Sequence, residues 1–577
     1  MSAAEARKIV AALDAGATNI NDVLGRLYNK ASSPDVKIPR GGAAPAVTAP
    51  EYAMAPADCE HVVSAIAHVG PKSHFPDLRA KYDLVVIGAG VAGLLSVIVA
   101  KSLGKKALLI EKHYMGGDCL NVGCFPSKCL IATARRAHEI KHSADLGITV
   151  SGEVTVDFGF VMKRMRALRA GIAPHDGVER YARDFCEHTI IGRAEFDGPE
   201  TVVITAGDGS GRTQKVAFDK CMIATGASAA VVPVPGLRDT PHLTNGNFFN
   251  LEELPPRACL IGAGPIGIEM AQSLQRFGCA VTIFEAAPQL LPREDPDAAK
   301  LVAEALVADG VEVHVGVKIT KVAQPGGGGV AYKAPWGTYA VTCELTDGAT
   351  RTFECEALLN ATGRAPNVSG IGLEGAGVAF DSRSGVHIDD FFKTTTKNIY
   401  ACGDVASPYK FTHAADWQAR CAIRNMYLDA GSRHSDLLVP WCTYTDPEVA
   451  HVGKYEAELD AEAAAYDSYV RHFKDVDRCK CEGVNAGFVK ISCAKGTDEI
   501  LGATIVGPCA GDLISELTVC MQNGVGLKDV AGVMHPYPTT AEAIRQCAAQ
   551  FFPKLRTPAV NKALELRMAA VKAKEQA

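Results

Sequence analysis

The stretch Tyr82-Asp83-Leu84-Val85-Val86-Ile87-Gly88-Ala89-Gly90-Val91-Ala92-Gly93 decides the fold. Its apolar first half, Tyr82 to Ile87, reads as a buried strand that runs into Gly88-x-Gly90-x-x-Gly93, and a small-residue helical pattern follows. The glycines allow a tight turn and let a pyrophosphate approach the backbone at a helix N-terminus. A second strand, Ala107 to Ile110, ends in Glu111, whose carboxylate can accept hydrogen bonds from a ribose.

The same arrangement recurs downstream. Strand Ala258 to Ile261 enters Gly262-x-Gly264-x-x-Gly267, and after a helix the strand Ala280 to Phe284 ends in Glu285. One such fingerprint is weak evidence; two, each between a strand and a helix and each followed by an acid, indicate two Rossmann-like dinucleotide-binding domains. Ala224-Thr225-Gly226 and Ala361-Thr362-Gly363-Arg364 each close a strand-like run and read as the return of the chain after each nucleotide unit. From Val439 onward the pattern turns β-rich, with Gly487 to Ile491 and Ile500 to Gly507 followed by helices, which predicts a separate C-terminal α+β domain. The fold class is α/β.

Cys119 and Cys124 stand five apart in Gly116-Gly117-Asp118-Cys119-Leu120-Asn121-Val122-Gly123-Cys124-Phe125-Pro126-Ser127-Lys128, shortly after the first fingerprint. So short a loop restrains little unfolded-chain entropy, so the pair is a poor staple and points to redox or metal chemistry. A thiol pair beside a flavin can pass two electrons between a nicotinamide and an external acceptor. The remaining cysteines of the nineteen are scattered. Most, such as Cys221, Cys259, Cys279 and Cys402, lie in apolar patterns and read as small buried hydrophobes.

With 577 residues the chain exceeds a single core. A net charge of −6 without a basic stripe argues against nucleic acid. The apolar run Leu84 to Ala100 is broken by Gly88, Gly90 and Gly93, so it reads as strand plus helix, and no membrane partner is expected. Residues 1–80 contain helical spacing over Ala6 to Leu27 and a Pro/Gly/Ala linker from Pro39 to Pro56. They show no apolar signal core, and Glu5, Asp14 and Asp22 are unlike a transit peptide. They read as an appendage on a cytoplasmic protein; an organellar address through this segment is the alternative.

Over roughly residues 80 to 552 the chain resembles the pyridine nucleotide-disulfide oxidoreductases, which include glutathione reductase, dihydrolipoamide dehydrogenase and mercuric reductase. Beyond the features above, Asn398-Ile399-Tyr400-Ala401-Cys402-Gly403-Asp404 resembles the family's second FAD motif. Thr445-Asp446-Pro447-Glu448-Val449-Ala450 resembles the opening of its dimer-interface domain. The resemblance implies an N-terminal extension over 1–80, a FAD-binding domain in two segments, 81–235 and 361–435, an inserted NAD(P)-binding domain over 236–360, a dimerisation domain over 436–552 and a tail over 553–577. Gly88, Gly90, Gly93 and Glu111 would hold the FAD adenosine diphosphate, Asp404 the ribityl chain, and the helix beginning near Thr412 and His413 would direct its dipole at the flavin. Ala194, Thr225, Gly226, Gly363, Arg364 and Gly403 complete the expected cofactor contacts. Gly262, Gly264, Gly267 and Glu285 would bind the nicotinamide nucleotide. Glu285 favours NADH by repelling a 2′-phosphate, with NADPH the alternative.

The resemblance also gives catalytic roles. Lys128 and Glu269 match the family's pair beside the flavin, Cys124 the flavin-proximal thiolate, and Cys119 the interchange thiol. Disulfide-reducing members carry a His five residues before a Glu in the C-terminal domain. In His535-Pro536-Tyr537-Pro538-Thr539-Thr540-Ala541-Glu542, that position is Tyr537. A tyrosine is a poor base near neutrality, and it resembles mercuric reductase, as does Gly-Gly-Asp-Cys. The expectation is a homodimer with a shared active site containing Tyr537 and Glu542, reducing Hg(II), another soft metal or a reactive electrophile held transiently by Cys119 and Cys124. A dihydrolipoyl dehydrogenase using His535 is one alternative, and a flavoprotein redox-sensor or interaction subunit another. No cysteine follows Cys547, so the usual C-terminal metal-receiving pair is missing; Cys479 and Cys481 are the candidate relay in its place.

Overall fold

The computed structural model describes residues 53–72, 75–554 and 556–576. The helical spacing expected over Ala6 to Leu27 and all but the last four residues of the Pro39–Pro56 linker lie outside the described residues.

The first nucleotide unit is built on strand Lys81–Ile87, which pairs in parallel with Ala107–Glu111 on one side and with Thr213–Ile223 on the other. His188–Phe196 extends the parallel sheet beside Ala107–Glu111 and then turns into an antiparallel meander with Thr201–Ala206. Strand Ile399–Ala401, almost two hundred residues later, adds to Thr213–Ile223 in parallel, so two chain segments make one sheet. These strands are buried on both faces, which is why they read as unbroken apolar runs.

The second unit is a parallel sheet in the order Ala357–Asn360, Arg257–Ile261, Ala280–Phe284, Glu312–His314. A three-stranded antiparallel meander, Lys318–Ala323, Tyr339–Glu344 and Thr350–Cys355, stands beside it. The C-terminal unit is a five-stranded antiparallel sheet, ordered Trp441–Thr443, Glu448–Gly453, Ile500–Gly507, Phe488–Ala494, Tyr466–His472. Helices Ala510–Gln522 and Glu542–Ala549 pack against it through Ile514, Leu517, Ile544 and Cys547. The fold is therefore the expected one, two Rossmann-like units and an α+β C-terminal domain.

The body begins before residue 81. Helix Glu60–Val69 buries Val62, Ala65 and Val69, and the Met115 N–H donates to the Val69 carbonyl at 2.9 Å. Asn250 clasps the chain just before it, accepting from the Ala55 N–H and donating to the Ala53 carbonyl. The described part of the expected appendage is thus packed into the body. Its apolar spacing was too short to separate a docked helix from a free one. No helix among the described residues is long and apolar enough to cross a membrane. Cys221, Cys259, Cys279 and Cys402 are buried, as their apolar surroundings predicted.

Candidate functional site

Both fingerprints work by the same local geometry. Gly88 has φ 101° and Gly262 φ 97°, in the region glycine favours, where the chain leaves the strand. A Cβ on Gly93 would lie 1.9 Å from the Gly88 carbonyl oxygen, and one on Gly267 2.2 Å from that of Gly262. Only glycine lets each helix start this close to its strand. Helices Val91–Ser102, Pro265–Phe277 and Thr412–Leu428 all begin without a side-chain cap. Their first N–H groups and positive dipole ends are therefore available to anionic ligands.

The residues at these helix starts line one continuous cavity of about 2760 Å³. That is several times the size of an ordinary small-ligand pocket, so it has room for two dinucleotides. Gly88, Gly90, Glu111, Ala194, Thr225, Gly226, Gly363, Arg364, Gly403, Asp404, Thr412 and His413 line it, as do Gly262, Gly264 and Glu285. Gly93 and Gly267 lie behind the wall, where they allow close packing. Glu111 accepts from the Ala89 N–H at 2.7 Å and the His113 N–H at 2.8 Å. Glu285 repeats this, accepting from Ala263 at 2.7 Å and Ala287 at 2.9 Å. Each acid thereby braces its own glycine turn. Burial pushes the carboxyls of Glu111 and Asp404 up, and backbone bonds oppose this at Glu111. The His413 ring sits 2.6 Å from the Pro440 carbonyl, fixing the start of its helix to the C-terminal domain.

Cys119, Cys124, Lys128 and Glu269 line the same cavity. Cys119 sits on the short helix Gly117–Asn121, and Cys124 is the first residue of the 18-residue helix Cys124–Lys141. The Cys124 sulfur lies 3.2 Å from Thr412 Oγ1. Hydrogen bonding from Cys119 holds the Cys124 thiol below its ordinary value, helped by Thr412 and the Lys128 charge, and against burial. Cys119 is pushed up by the same bond and by burial. The two sulfurs are thus divided into an acidic one at a helix N-terminus and a protonated one. Lys128 Nζ donates to Glu269 at 2.9 Å and lies 4.2 Å from the centre of the Tyr444 ring. The other Glu269 oxygen accepts from the Tyr444 N–H at 2.9 Å. The pair expected from the first two domains is therefore locked to the third.

Several functional contacts were missed in the sequence. Asp118, between the glycines and Cys119, takes the Arg364 guanidinium, which also donates to the Ala227 carbonyl and lies 3.5 Å from Asp404. Asn245 reaches the Val122 carbonyl and Asp118. A charge inside an otherwise apolar loop was the signal for Asp118, but its partner is 246 residues away.

Tyr537 and Glu542 do not line the cavity of their own chain. Tyr537 is 68% exposed and donates to Asp477 at 3.1 Å. Glu542 is buried and accepts from Arg545 at 2.7 Å. The helix Asp477–Cys481 intervenes and supplies the nearer carboxylate. His535 is turned inward, one ring nitrogen 3.0 Å from Glu516 and the other 3.0 Å from the Val533 carbonyl. Cys479 is buried and Cys481 exposed, so they do not present a joint thiol pair. Among the described residues no cluster of three or more His, Cys, Asp or Glu could hold a metal ion.

Residues 82–419 match the family model described as pyridine nucleotide-disulphide oxidoreductase, and residues 439–548 match that family's dimerisation domain. A dihydrolipoyl dehydrogenase of Mycobacterium tuberculosis is 34% identical over 473 residues, covering 81% of this chain and 97% of the relative. A mercuric reductase of Acidithiobacillus ferrooxidans is 33% identical over 471 residues, covering 81% and 82%. Among solved structures, the Cu(II) complex of the HOCl-induced flavoprotein disulfide reductase RclA from Escherichia coli has a TM-score of 0.70 at 25% identity, covering 82% of this chain and 100% of that one. LpdA from Mycobacterium tuberculosis has a TM-score of 0.70 at 26% identity, with coverage of 82% and 100%. With both family models matched and the dithiol loop at the meeting of two nucleotide folds, the chain belongs to the pyridine nucleotide-disulphide oxidoreductases, enzymes whose members use FAD and NAD(P)H.

Proposed function

We propose that this enzyme couples NADH oxidation, through FAD and the Cys119–Cys124 pair, to reduction of Hg(II), another soft metal or a reactive electrophile, in preference to small disulfides. The carrying observation is the loop 533–542. Breaking a disulfide requires a proton for the departing thiolate, and His535 has both ring nitrogens engaged away from solvent. Tyr537 faces outward in its place, and Asp477 pushes its phenol up from the ordinary tyrosine value, making it a still weaker acid.

The residues fit the cofactors: uncapped helix ends, glycine turns and the Glu111 and Glu285 braces surround a cavity of the right extent. Bound FAD supplies a two-electron relay between the nicotinamide and the thiols. Gly88, Gly90, Asp404 and the Thr412 helix would hold it, and Gly262, Gly264 and Glu285 would hold NADH. The chain's own contribution is to keep Cys124 ready as a thiolate, Cys119 available to incoming substrate, and Lys128 fixed by Glu269 and Tyr444. In the shared site of a homodimer, Tyr537 would meet the partner's dithiol. A soft cation binds two thiolates without any proton donor. The balance is NADH plus Hg(II) giving NAD⁺, H⁺ and Hg(0).

The similarity to dihydrolipoyl dehydrogenases supports the second reading, lipoamide turnover. NADH consumption with Hg(II), Cu(II), lipoamide and glutathione disulfide, assayed side by side, separates them. Metal-dependent turnover above disulfide turnover, with Tyr537→His raising only the latter, is expected. Robust lipoamide turnover abolished by His535→Gln and untouched by Tyr537→Phe would refute the metal reading.

A further inference from the structure

Helix Phe158–Ile172 buries two arginines on the face that also carries Phe158, Met162 and Met165. Arg169 is 1% exposed and Arg166 4%. Among the described residues neither has a carboxylate within ion-pair distance. Burying a guanidinium without a counter-charge is costly, so its retention calls for a role. Arg166 donates through Nη2 to the carbonyls of Asn250 and Leu251 at 3.2 and 2.8 Å. Arg169 donates through Nη1 to the Asn121 carbonyl at 2.8 Å, while its Nε and Nη2 have no partner among the described residues.

Asn121 ends the helix that carries Cys119 and stands three residues before Cys124. Its own amide donates to the Met115 and Gly117 carbonyls at 3.0 and 2.8 Å, closing the loop on itself. Arg169 therefore grips a peptide group between the two cysteines, and it does so with a charge that no carboxylate among the described residues neutralises. Burial lowers its pKa only to about 10, so the guanidinium is charged at neutral pH.

We propose that Arg169 is a positioning residue for the thiol pair, clamping the peptide between Cys119 and Cys124 and biasing the pair toward its reduced, thiolate form. This rests on the reading of Cys119–Cys124 as the redox pair. In the half-reaction two electrons and one proton enter, the S–S bond breaks, and a Cys119 thiol and a Cys124 thiolate result; NADH supplies the electrons. Lys128 is the cation that acts on this negative charge directly, and Arg169 acts through the Asn121 peptide it holds. The titratable and charged groups facing the pair are Lys128, Asp176 and Tyr444, and those facing Arg169 are Arg166, Tyr114, Cys59 and Cys129.

The test uses FAD-loaded protein, with two readouts: the pH profile of Cys124 alkylation by iodoacetamide after reduction, and the dithiol–disulfide equilibrium against glutathione. Arg169→Gln should raise the alkylation midpoint by about one unit, a tenfold loss of thiolate at fixed pH. It should also lower the equilibrium constant for reduction about tenfold. Arg169→Lys, which keeps the charge, should stay nearer the parent. Arg169→Met keeps the apolar stem of the side chain, removes the guanidinium, and should shift both readouts as Arg169→Gln does. Arg169→Met decides the matter if Arg169→Gln yields no FAD-loaded protein. Parent-like readouts in either folded variant, including one altered only in thermal stability, overturn the proposal. A parent protein with no disulfide between these cysteines would instead remove the redox pair, and this role with it.

Discussion

Replacing Thr412 with valine isolates one contact at the reactive sulfur. Thr412 Oγ1 lies 3.2 Å from Cys124 Sγ, and a thiolate can only accept, so in the reduced enzyme the hydroxyl donates. A hydrogen bond to a charged acceptor contributes about 1.5–3 kcal/mol. The Cys119 thiol also donates to Cys124 and keeps part of the stabilisation, so the lower end applies. A loss of about 1.4 kcal/mol from the thiolate form alone corresponds to one pKa unit. The sign is upward: without its donor the thiolate is less stable, and a higher pH is needed to form it. The long-wavelength thiolate–flavin absorbance of the two-electron-reduced protein, titrated with pH, reads the midpoint directly. Thr412→Val should move it up by about one unit, and Thr412→Ser should leave it in place. An unmoved midpoint in FAD-loaded Thr412→Val would refute the view that this hydroxyl helps hold Cys124 as a thiolate.

Gly267→Ala should weaken NADH binding about tenfold to a hundredfold while FAD stays bound, because the new Cβ would stand 2.2 Å from a backbone oxygen of the second fingerprint alone; isothermal titration with NADH checks it. Glu285→Ser should raise the NADPH-to-NADH ratio of kcat/KM about fivefold or more, since removing a carboxylate relieves a like-charge repulsion of about 1 kcal/mol even in solvent. A ratio already above one in the parent enzyme would contradict the NADH assignment. Glu269→Gln leaves the half-buried Lys128 without its counter-charge and should cost about 1–3 kcal/mol in denaturant unfolding. In stopped flow it should slow reduction by NADH more than reoxidation of the dithiol.

The frame of this enzyme was legible because the physics of its strands and turns is local. Tyr82–Ile87 and Ala258–Ile261 were placed within a residue of the observed strands, and Ala280–Phe284 matched its strand end to end. A glycine needed for positive φ, or for a helix to touch a strand, marks its own position. Long-range polar contacts leave no such mark. Asp118 meets Arg364, Asn245 meets Val122 and Lys128 lies over Tyr444, yet nothing in the spacing of those residues announces the meeting. The arginines of the Phe158–Ile172 helix were partly legible. Met162, Arg166 and Arg169 stand at i, i+4 and i+7, so a helical reading places both cations on the apolar stripe. A charge on a stripe that faces the core is a buried charge, and its partner was the part that required coordinates.

On the proposed reading, substrate class is decided outside the cavity, on the loop 533–542. Apart from Gly93 and Gly267, the groups assigned to hold nucleotides, and Lys128 and Thr412 beside Cys124, line one continuous space of a single chain. Tyr537 lies elsewhere, on a loop that also exposes Val533 and leaves Met534 93% exposed. Apolar side chains this prominent, in a domain matching the family's dimerisation domain, belong against another protein surface. A C₂ dimer would present the loop to its partner and receive the partner's loop in return, so both sites would be completed by one self-complementary contact. On that arrangement the electron-transfer core and the proton-handling residue change independently. A single substitution at position 537 alters the chemistry offered to the acceptor, while Thr412, Lys128 and the redox loop remain as they are. The inward turn of His535 then matters as much as the identity of Tyr537, because it leaves no second imidazole on this loop to restore the missing acid.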